Sequence, residues 1–389
     1  MVYAETDYMS LNKYKEELCG DRVEVIRGGD GTVTMVLADG LGSGVKASIL
    51  ATLTAKIIGT MTAEGMQIED AVATIAQTLP VCSVRHIAYS TFSILKTGTD
   101  GSASLFQFDN PTAIFMRGGE CRDYPAQKRE VYGKSIYESR FFLQPGDMIL
   151  LISDGVVHAG LGTVFNFGWQ LPQVKDFVQQ CAVSPGLTAR AMAFRLCNAC
   201  QDLYGGRPGD DTTVAVMRIR EEEAVTIMVG PPRDKGDDRR LVELFLSQPG
   251  KKVICGGTTS QIVGRFLGET VETRISDYVD RAVPPIGYLN GIDLVTEGVL
   301  TIEHAVELLE KTPARELEEH RFTGRDGASL LLRLLTEEAT RVDFLVGRAV
   351  NPAHQNPAMP IGLNIKQRLV EKLAQYLQNS GKQVNIRYF

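Results

Sequence analysis

Tryptophan occurs once in the 389 residues, histidine five times and cysteine seven times, at positions 19, 82, 121, 181, 197, 200 and 255. An odd, scattered set of cysteines does not read as a disulfide framework. Cys197 and Cys200 have the CxxC spacing, but no second CxxC and no nearby histidine accompany them. They also sit in a stretch, from Ala191, that reads as helix, so they are taken as two small helix residues rather than zinc ligands. No convincing Ser-His-Asp or Cys-His arrangement is present, which leaves nucleophilic catalysis by a side chain without its parts. No apolar run approaches the ~20 residues of a membrane span. The start, Met1 to Asp7, lacks the basic and apolar regions of a signal peptide, so a cytoplasmic protein is expected. The net charge of −6 is spread out, which argues against nucleic acid as a partner.

What remains is an ordinary globular composition, 44% hydrophobic and 23% charged, long enough for two domains. Residues 22–39 read as a hairpin with the turn Arg27-Gly28-Gly29-Asp30-Gly31. Helical periodicity follows over 44–60 and 67–79, then strands from Ala88 to Leu95, Ser102 to Phe108 and Ala113 to Met116. A buried strand runs up to Ser153 after the turn Gln144-Pro145-Gly146-Asp147. Helices at 171–181 and 187–204 and a strand from Thr212 to Ile219 close the region. Many strands with helices in pairs predict an α+β sandwich of antiparallel sheets over 1–220. Arg220-Glu221-Glu222-Glu223 marks a composition break. From 225 to 389 strands and helices alternate, which predicts an α/β domain with a mainly parallel sheet. Pro352 to Pro360 reads as an exposed loop.

Three acidic positions stand out. Asp39-Gly40 ends the run Val36-Leu37-Ala38, Asp154-Gly155 ends Ile149 to Ser153, and Asp210-Asp211 opens Thr212 to Val216. A lone Asp-Gly is a common turn, but two that end apolar runs and a third pair that opens one suggest carboxylates held at strand ends. Magnesium and manganese take oxygen ligands of this kind, and two such ions can activate water against a phosphoryl group. The sequence leaves open which of Asp210 and Asp211 is a ligand.

Together Cys19-Gly20-Asp21, Ala38-Asp39-Gly40-Leu41-Gly42-Ser43-Gly44, Ile152-Ser153-Asp154-Gly155 and Gly209-Asp210-Asp211-Thr212-Thr213 resemble the ordered motifs of the stage II sporulation protein E family. That family belongs to the metal-dependent, type 2C serine/threonine phosphatases, and the likeness covers about residues 1–220. It implies an α-β-β-α sandwich with two Mn²⁺ or Mg²⁺ ions between the sheets. Asp39 and the Gly40 carbonyl map to the bridge between the ions, and Asp154, Asp210 and Asp211 to further ligands. Asp21 maps near the metals. Thr212 replaces a Met of the family's motif and leaves its carboxylates in place. The resemblance also implies a phosphoprotein substrate of the anti-sigma-antagonist kind and a helix after Gly44 that can shift and gate metal binding. Leu11 to Asp21 further resembles a clostridial subgroup often encoded beside iron-only hydrogenases. Arg22 and Arg27 are candidates to hold substrate phosphate, although neither matches a motif.

Other positions carry weaker signals. His158, four residues past Asp154, is a candidate for a catalytic or supporting role, whereas Arg85-His86 and Trp169 read as surface and core. In the second domain, Gly256, Gly257 and Thr258 join a strand to a helix and form a candidate anion site; the same residues would also serve as a glycine turn with a Thr cap. Val229 to Arg233 ends an earlier strand at a similar level, and Asp293 to Gly298 offers further polar groups. A small-molecule effector could settle there. Two other functions therefore stay open: a non-catalytic docking protein, and a ligand sensor centred on the α/β domain.

Overall fold

The computed structural model describes all residues except Met1, 79–89, 132–133, 185, 274–285, 312–321, 323 and 350–361. The expectations for Cys82, Arg85, His86 and the loop Pro352 to Pro360 lie outside the described residues. The chain splits into two compact units, Met1–Glu221 and Glu222–Phe389.

In the first unit, β2 (Asp21–Arg27), β3 (Val33–Asp39), β4 (Thr91–Thr97), β5 (Ser102–Phe108), β9 (Lys134–Phe142) and β8 (Gln127–Val131) form a six-stranded antiparallel sheet in that spatial order. The second sheet runs β1 (Val2–Leu11), β11 (Thr212–Glu221), β10 (Met148–Ile152), β6 (Ile114–Arg117), β7 (Glu120–Arg122), also antiparallel. The period of two decides the layers. Met35 and Leu37 of β3 point into a core shared with Ile149, Leu151, Ala215 and Met217 of the other sheet. Val36 and Ala38 point the opposite way, onto α1 (Gly44–Ala63) and α2 (Ile68–Thr78), where Ala51, Ala55, Ile58 and Ile75 await them. On the far side, Leu150, Ile152, Val214 and Val216 pack under α4 (Leu171–Ala182) and α5 (Ala189–Leu203). The result is helix, sheet, sheet, helix. Strands buried on both faces, such as β3 and β10, read as continuous apolar runs for this reason. Each of their fully buried Leu, Ile or Met side chains contributes about 1.5–3 kcal/mol by leaving water.

β1 is a strand the sequence did not announce. Its Glu5, Thr6 and Asp7 break any apolar alternation, yet it pairs with β11 over ten residues. Glu5 is held by Arg218 at 3.6 Å and Arg220 at 3.3 Å, which offsets the polar content of this sheet edge. Cys197 and Cys200 face the α5 core and are free thiols. Trp169 is buried against Phe177, edge to face.

The second unit has one sheet. β16 (Leu294–Thr296), β13 (Lys251–Cys255), β12 (Ala224–Val229), β17 (Arg341–Val346) and β18 (Gln383–Tyr388) are parallel neighbours in that order. Two short strands, β14 (Glu272–Thr273) and β15 (Gly287–Tyr288), extend the β16 edge antiparallel. Helices cover both faces. α6 (Asp238–Ser247) and α7 (Gly257–Leu267) pack on Met228, Ile254 and Leu345. α8 (Val299–Lys311), α9 (Gly327–Arg333) and α10 (Gly362–Asn379) pack on Ile227, Val253 and Phe344. No described helix is long and apolar enough to cross a membrane.

Candidate active site

Asp21 opens β2 and Asp39 closes β3, and the two are register partners across the strand pair. Opposed side chains on one face of such a pair lie about 5 Å apart at Cβ, and like charges there repel. Ser153 and Thr213 bring in the second sheet: the Thr213 amide donates to Ser153 Oγ at 2.8 Å, and the Ser153 amide donates to the Thr213 carbonyl at 3.0 Å. This ladder sets Asp154, the first residue of the short helix α3 (Asp154–Val157), beside the Asp210-Asp211 pair that precedes β11.

Two glycines make the closeness possible. A Cβ on Gly40 would lie 2.1 Å from the Ala47 carbonyl of α1, and one on Gly155 would lie 2.1 Å from the Asp211 carbonyl. Neither glycine has a positive φ. Backbone conformation is thus not the reason for glycine at these two positions; the absence of room for any side chain is.

The electrostatics are those of crowded acids. Burial pushes the Asp39 carboxyl up to about 9, with Asp21, Asp154, Asp210 and Asp211 all adding to the rise. Burial likewise raises Asp21 to about 7; the Thr213 and Ser153 hydroxyls draw it partly back, and Asp211 and Asp154 push it up again. Asp154 is raised by burial and by Asp210. Both oxygens of Asp21 and Oδ2 of Asp211 are buried without a partner at full hydrogen-bond distance; the Thr213 and Ser153 hydroxyls are near Asp21 but not bonded to it. Such orphaned, mutually repelling oxygens are costly. A hard divalent cation is the group that would satisfy them, and an all-oxygen donor set suits Mg²⁺ or Mn²⁺. As it stands, no group of three His, Cys, Asp or Glu side chains among the described residues is closed tightly enough to hold an ion.

Two residues that the sequence reading passed over complete the surroundings. The Lys13 amide donates to Asp211 Oδ1 at 3.0 Å, and Lys13 Nζ lies 3.5 Å from Asp210 Oδ1. Ser43 Oγ donates to Glu16 Oε1 at 3.0 Å, and Glu16 lies against Gly44 at the start of α1. His158 Nδ1 is 3.9 Å from Asp154 Oδ2, and the Tyr204 hydroxyl donates to the Gly155 carbonyl at 2.7 Å.

Neither arginine candidate is positioned to hold phosphate. Arg27 is at the far end of β2, about 20 Å from Asp21 at the rise of a strand, and donates to the Ala4 carbonyl and Thr6. Arg22 follows Asp21 on the opposite face and lies 3.7 Å from Glu24.

In the second unit, Gly256 precedes α7 with φ +137°, Gly257 opens the helix, and Thr258 lines a cavity of about 850 Å³. Pro231 to Arg233 line the same cavity. Asp293 does not join them: it accepts from the Lys252 amide at the other end of β13.

Residues 29–220 match the family model "Stage II sporulation protein E (SpoIIE)". The match includes Asp39, Asp154, Asp210 and Asp211 and begins after Asp21, Lys13 and Glu16. No curated protein matches the chain. Among solved structures, the chain is similar to the phosphatase domain of the cell fate determinant SpoIIE from Bacillus subtilis, with 18% identity, 56% of this chain and 93% of that one covered, and a TM-score of 0.42. A longer SpoIIE structure from the same organism, the PP2C phosphatase domain with a fragment of the regulatory domain, gives 20% identity, 55% and 63% coverage and a TM-score of 0.46. The RsbU and RsbW domains of a Mycobacterium tuberculosis protein give 16%, 63% and 68%, and 0.45.

Proposed function

We propose that residues 1–220 are a metal-dependent phosphoprotein phosphatase that hydrolyses phosphoserine or phosphothreonine in bacterial signalling, and that 225–389 form a separate ligand-binding or regulatory domain. The observation that carries this reading is the set of crowded carboxylates with orphaned oxygens inside a segment matching the SpoIIE family model. Asp39, Asp154, Asp210 and Asp211, with the Gly40 carbonyl, are the ligands we assign to two Mn²⁺ or Mg²⁺ ions. Bound there, the ions supply an activated water and charge neutralisation at the phosphoryl oxygens. Asp21, the register partner of Asp39 on the neighbouring strand, is the group to which we assign holding a proton or orienting a water at its carboxylate. Lys13, half-exposed beside Asp210, is the cation placed to meet an incoming phosphate. A phosphorylated protein of the anti-sigma-antagonist type, met in the cytoplasm, is the substrate class we favour.

The test is hydrolysis of p-nitrophenyl phosphate with and without Mn²⁺, comparing wild type with Asp39→Asn. Metal-dependent turnover that vanishes in the variant is expected. Equal turnover in both proteins would refute the assignment. No turnover together with no Mn²⁺ binding by calorimetry would turn the reading toward a docking protein.

A further inference from the structure

The strand order of the second unit contains a reversal. Taken in chain order, β12 comes first, β13 and β16 follow on one side of it, and β17 and β18 lie on the other. The switch point is therefore between β12 and β17. In open parallel sheets a crevice forms outside the carboxyl ends of the strands at such a point, because the two connections leave in opposite directions. The cavity of about 850 Å³ is bordered here by the loops after β12, β13 and β17. Its volume is in the range of small-molecule sites.

The lining is cationic. Arg233, Lys235, Arg265 and Arg348 line the cavity against a single carboxylate, Asp238. None of the four forms an ion pair with a described residue. α7 points its start into the same place. Its N-cap is Gly256, which has no side chain to cap the first turn, and Thr258 of that turn lines the cavity. First-turn amides have no acceptor within their helix, and they favour anions.

An independent observation comes from Lys366 of α10, 8% exposed. Its ammonium donates to the Gly347 carbonyl and lies 2.7 Å from where a Cβ on Gly230 would sit. It is thus wedged between the two loops of the switch point, next to cavity-lining Gln367. Burial alone perturbs it, and no described carboxylate faces it. A buried cation without a counter-charge is costly, and its position beside the cavity asks for an anion.

We infer that this cavity binds the phosphate group of a small phosphorylated molecule of nucleotide size. The phosphate sits between Arg233 and Arg348 at the start of α7, Arg265 of that helix's last turn lines the cavity farther along, and Lys366 supplies charge from beside it. The rest of the ligand fills the space toward Pro231, Pro232 and Ile262.

Calorimetric titration of the full chain tests this, with EDTA present so that metal chemistry at the first unit stays silent. The probes are ADP, inorganic phosphate and adenosine. ADP is expected to bind and adenosine is not. Arg233→Ala and Arg348→Ala should each weaken ADP binding at least about tenfold, the loss of one charge-assisted hydrogen bond. Lys366→Met should also weaken binding, while raising the melting temperature of the ligand-free protein. Phosphate binding as tightly as ADP would assign the site to free phosphate; much tighter ADP binding would assign it to a nucleotide. Binding of neither at millimolar concentration, or binding indifferent to the arginine variants, would overturn the inference.

Discussion

Asp21→Asn should make the metal-free protein more stable, by an amount that grows from about pH 4 to about pH 7. The folded state pushes Asp21 from 3.8 to about 7, chiefly by burial. A folded-state pKa above the unfolded value means that the native protein holds the proton more tightly, so stability falls as pH rises from about 4 to about 7. A tenfold change in proton affinity is worth about 1.4 kcal/mol, which sets a ceiling on the order of 4 kcal/mol for the full titration. Asp39 responds to the same substitution, because Asp21 is its strongest charged neighbour. An amide carries no charge, and the Ser153 and Thr213 hydroxyls beside it can accept from its NH₂. At pH 8 in EDTA the variant should therefore gain on the order of 2–4 kcal/mol over wild type. For a unit of this size that corresponds to roughly 5–10 °C in the melting temperature. At pH 5 the folded carboxyl is protonated while the unfolded one is already ionised, so the variant's advantage should shrink to on the order of 1–2 kcal/mol, well below its value at pH 8. Saturating Mn²⁺ should remove or reverse the advantage, since an ion that binds only the folded state stabilises wild type by mass action. Melting curves at pH 5 and 8, each with EDTA and with Mn²⁺, give all four comparisons. A wild type equally stable at pH 5 and 8 without metal, or a variant equally affected at both, would refute the reasoning.

Two further substitutions probe how the site and its sheets are held. Gly40→Ala should destabilise by several kcal/mol, on the order of the largest overpacking effects, because its Cβ would lie 2.1 Å from a backbone oxygen of α1; a melting temperature within a degree or so of wild type would show that α1 can move aside. Asp147→Ala should cost about 3–5 kcal/mol, since Asp147 is 1% exposed, takes two hydrogen bonds from Arg117 at 2.9 and 2.6 Å, and accepts the Gln144 amide; chemical denaturation showing a loss below about 1 kcal/mol, the range of an exposed pair, would demote this contact.

The acids were legible because each adjoins an apolar run and a glycine, and both neighbours carry physical meaning. The run is a strand buried on two faces, and the glycines after Asp39 and Asp154 are places where backbone meets backbone. Lys13 and Glu16 were not legible, because they lie in a polar stretch whose partners are remote in sequence; Lys13 reaches Asp211 across 198 positions. β1 was hidden by Glu5, whose counter-charges stand on a strand more than two hundred residues later. In the second unit the alternation of strand and helix could be read, but α8 and α9 could not. Nor could the lateral order of the strands, since periodicity says nothing about which side of a neighbour the chain returns to. The loops after β12 and β13 were readable as one pocket. The loop after β17 and the buried Lys366 were not.

The pairing of β1 with β11 bears on synthesis. Val2 is opposite Glu221 and Leu11 is opposite Thr212. On the ribosome, the first of these strands waits for the last before their shared ladder can close. Asp210 and Asp211 arrive just ahead of that last strand, so the acidic cluster cannot be complete before it is made. A chain stalled before residue 210 would carry Asp21, Asp39 and Asp154 without Asp210, Asp211 and the strand that follows them, and would expose the β10 edge that β11 covers. Such an open edge invites pairing with other chains, which makes the interval before β11 emerges the window in which nascent chains of this protein would most need a chaperone.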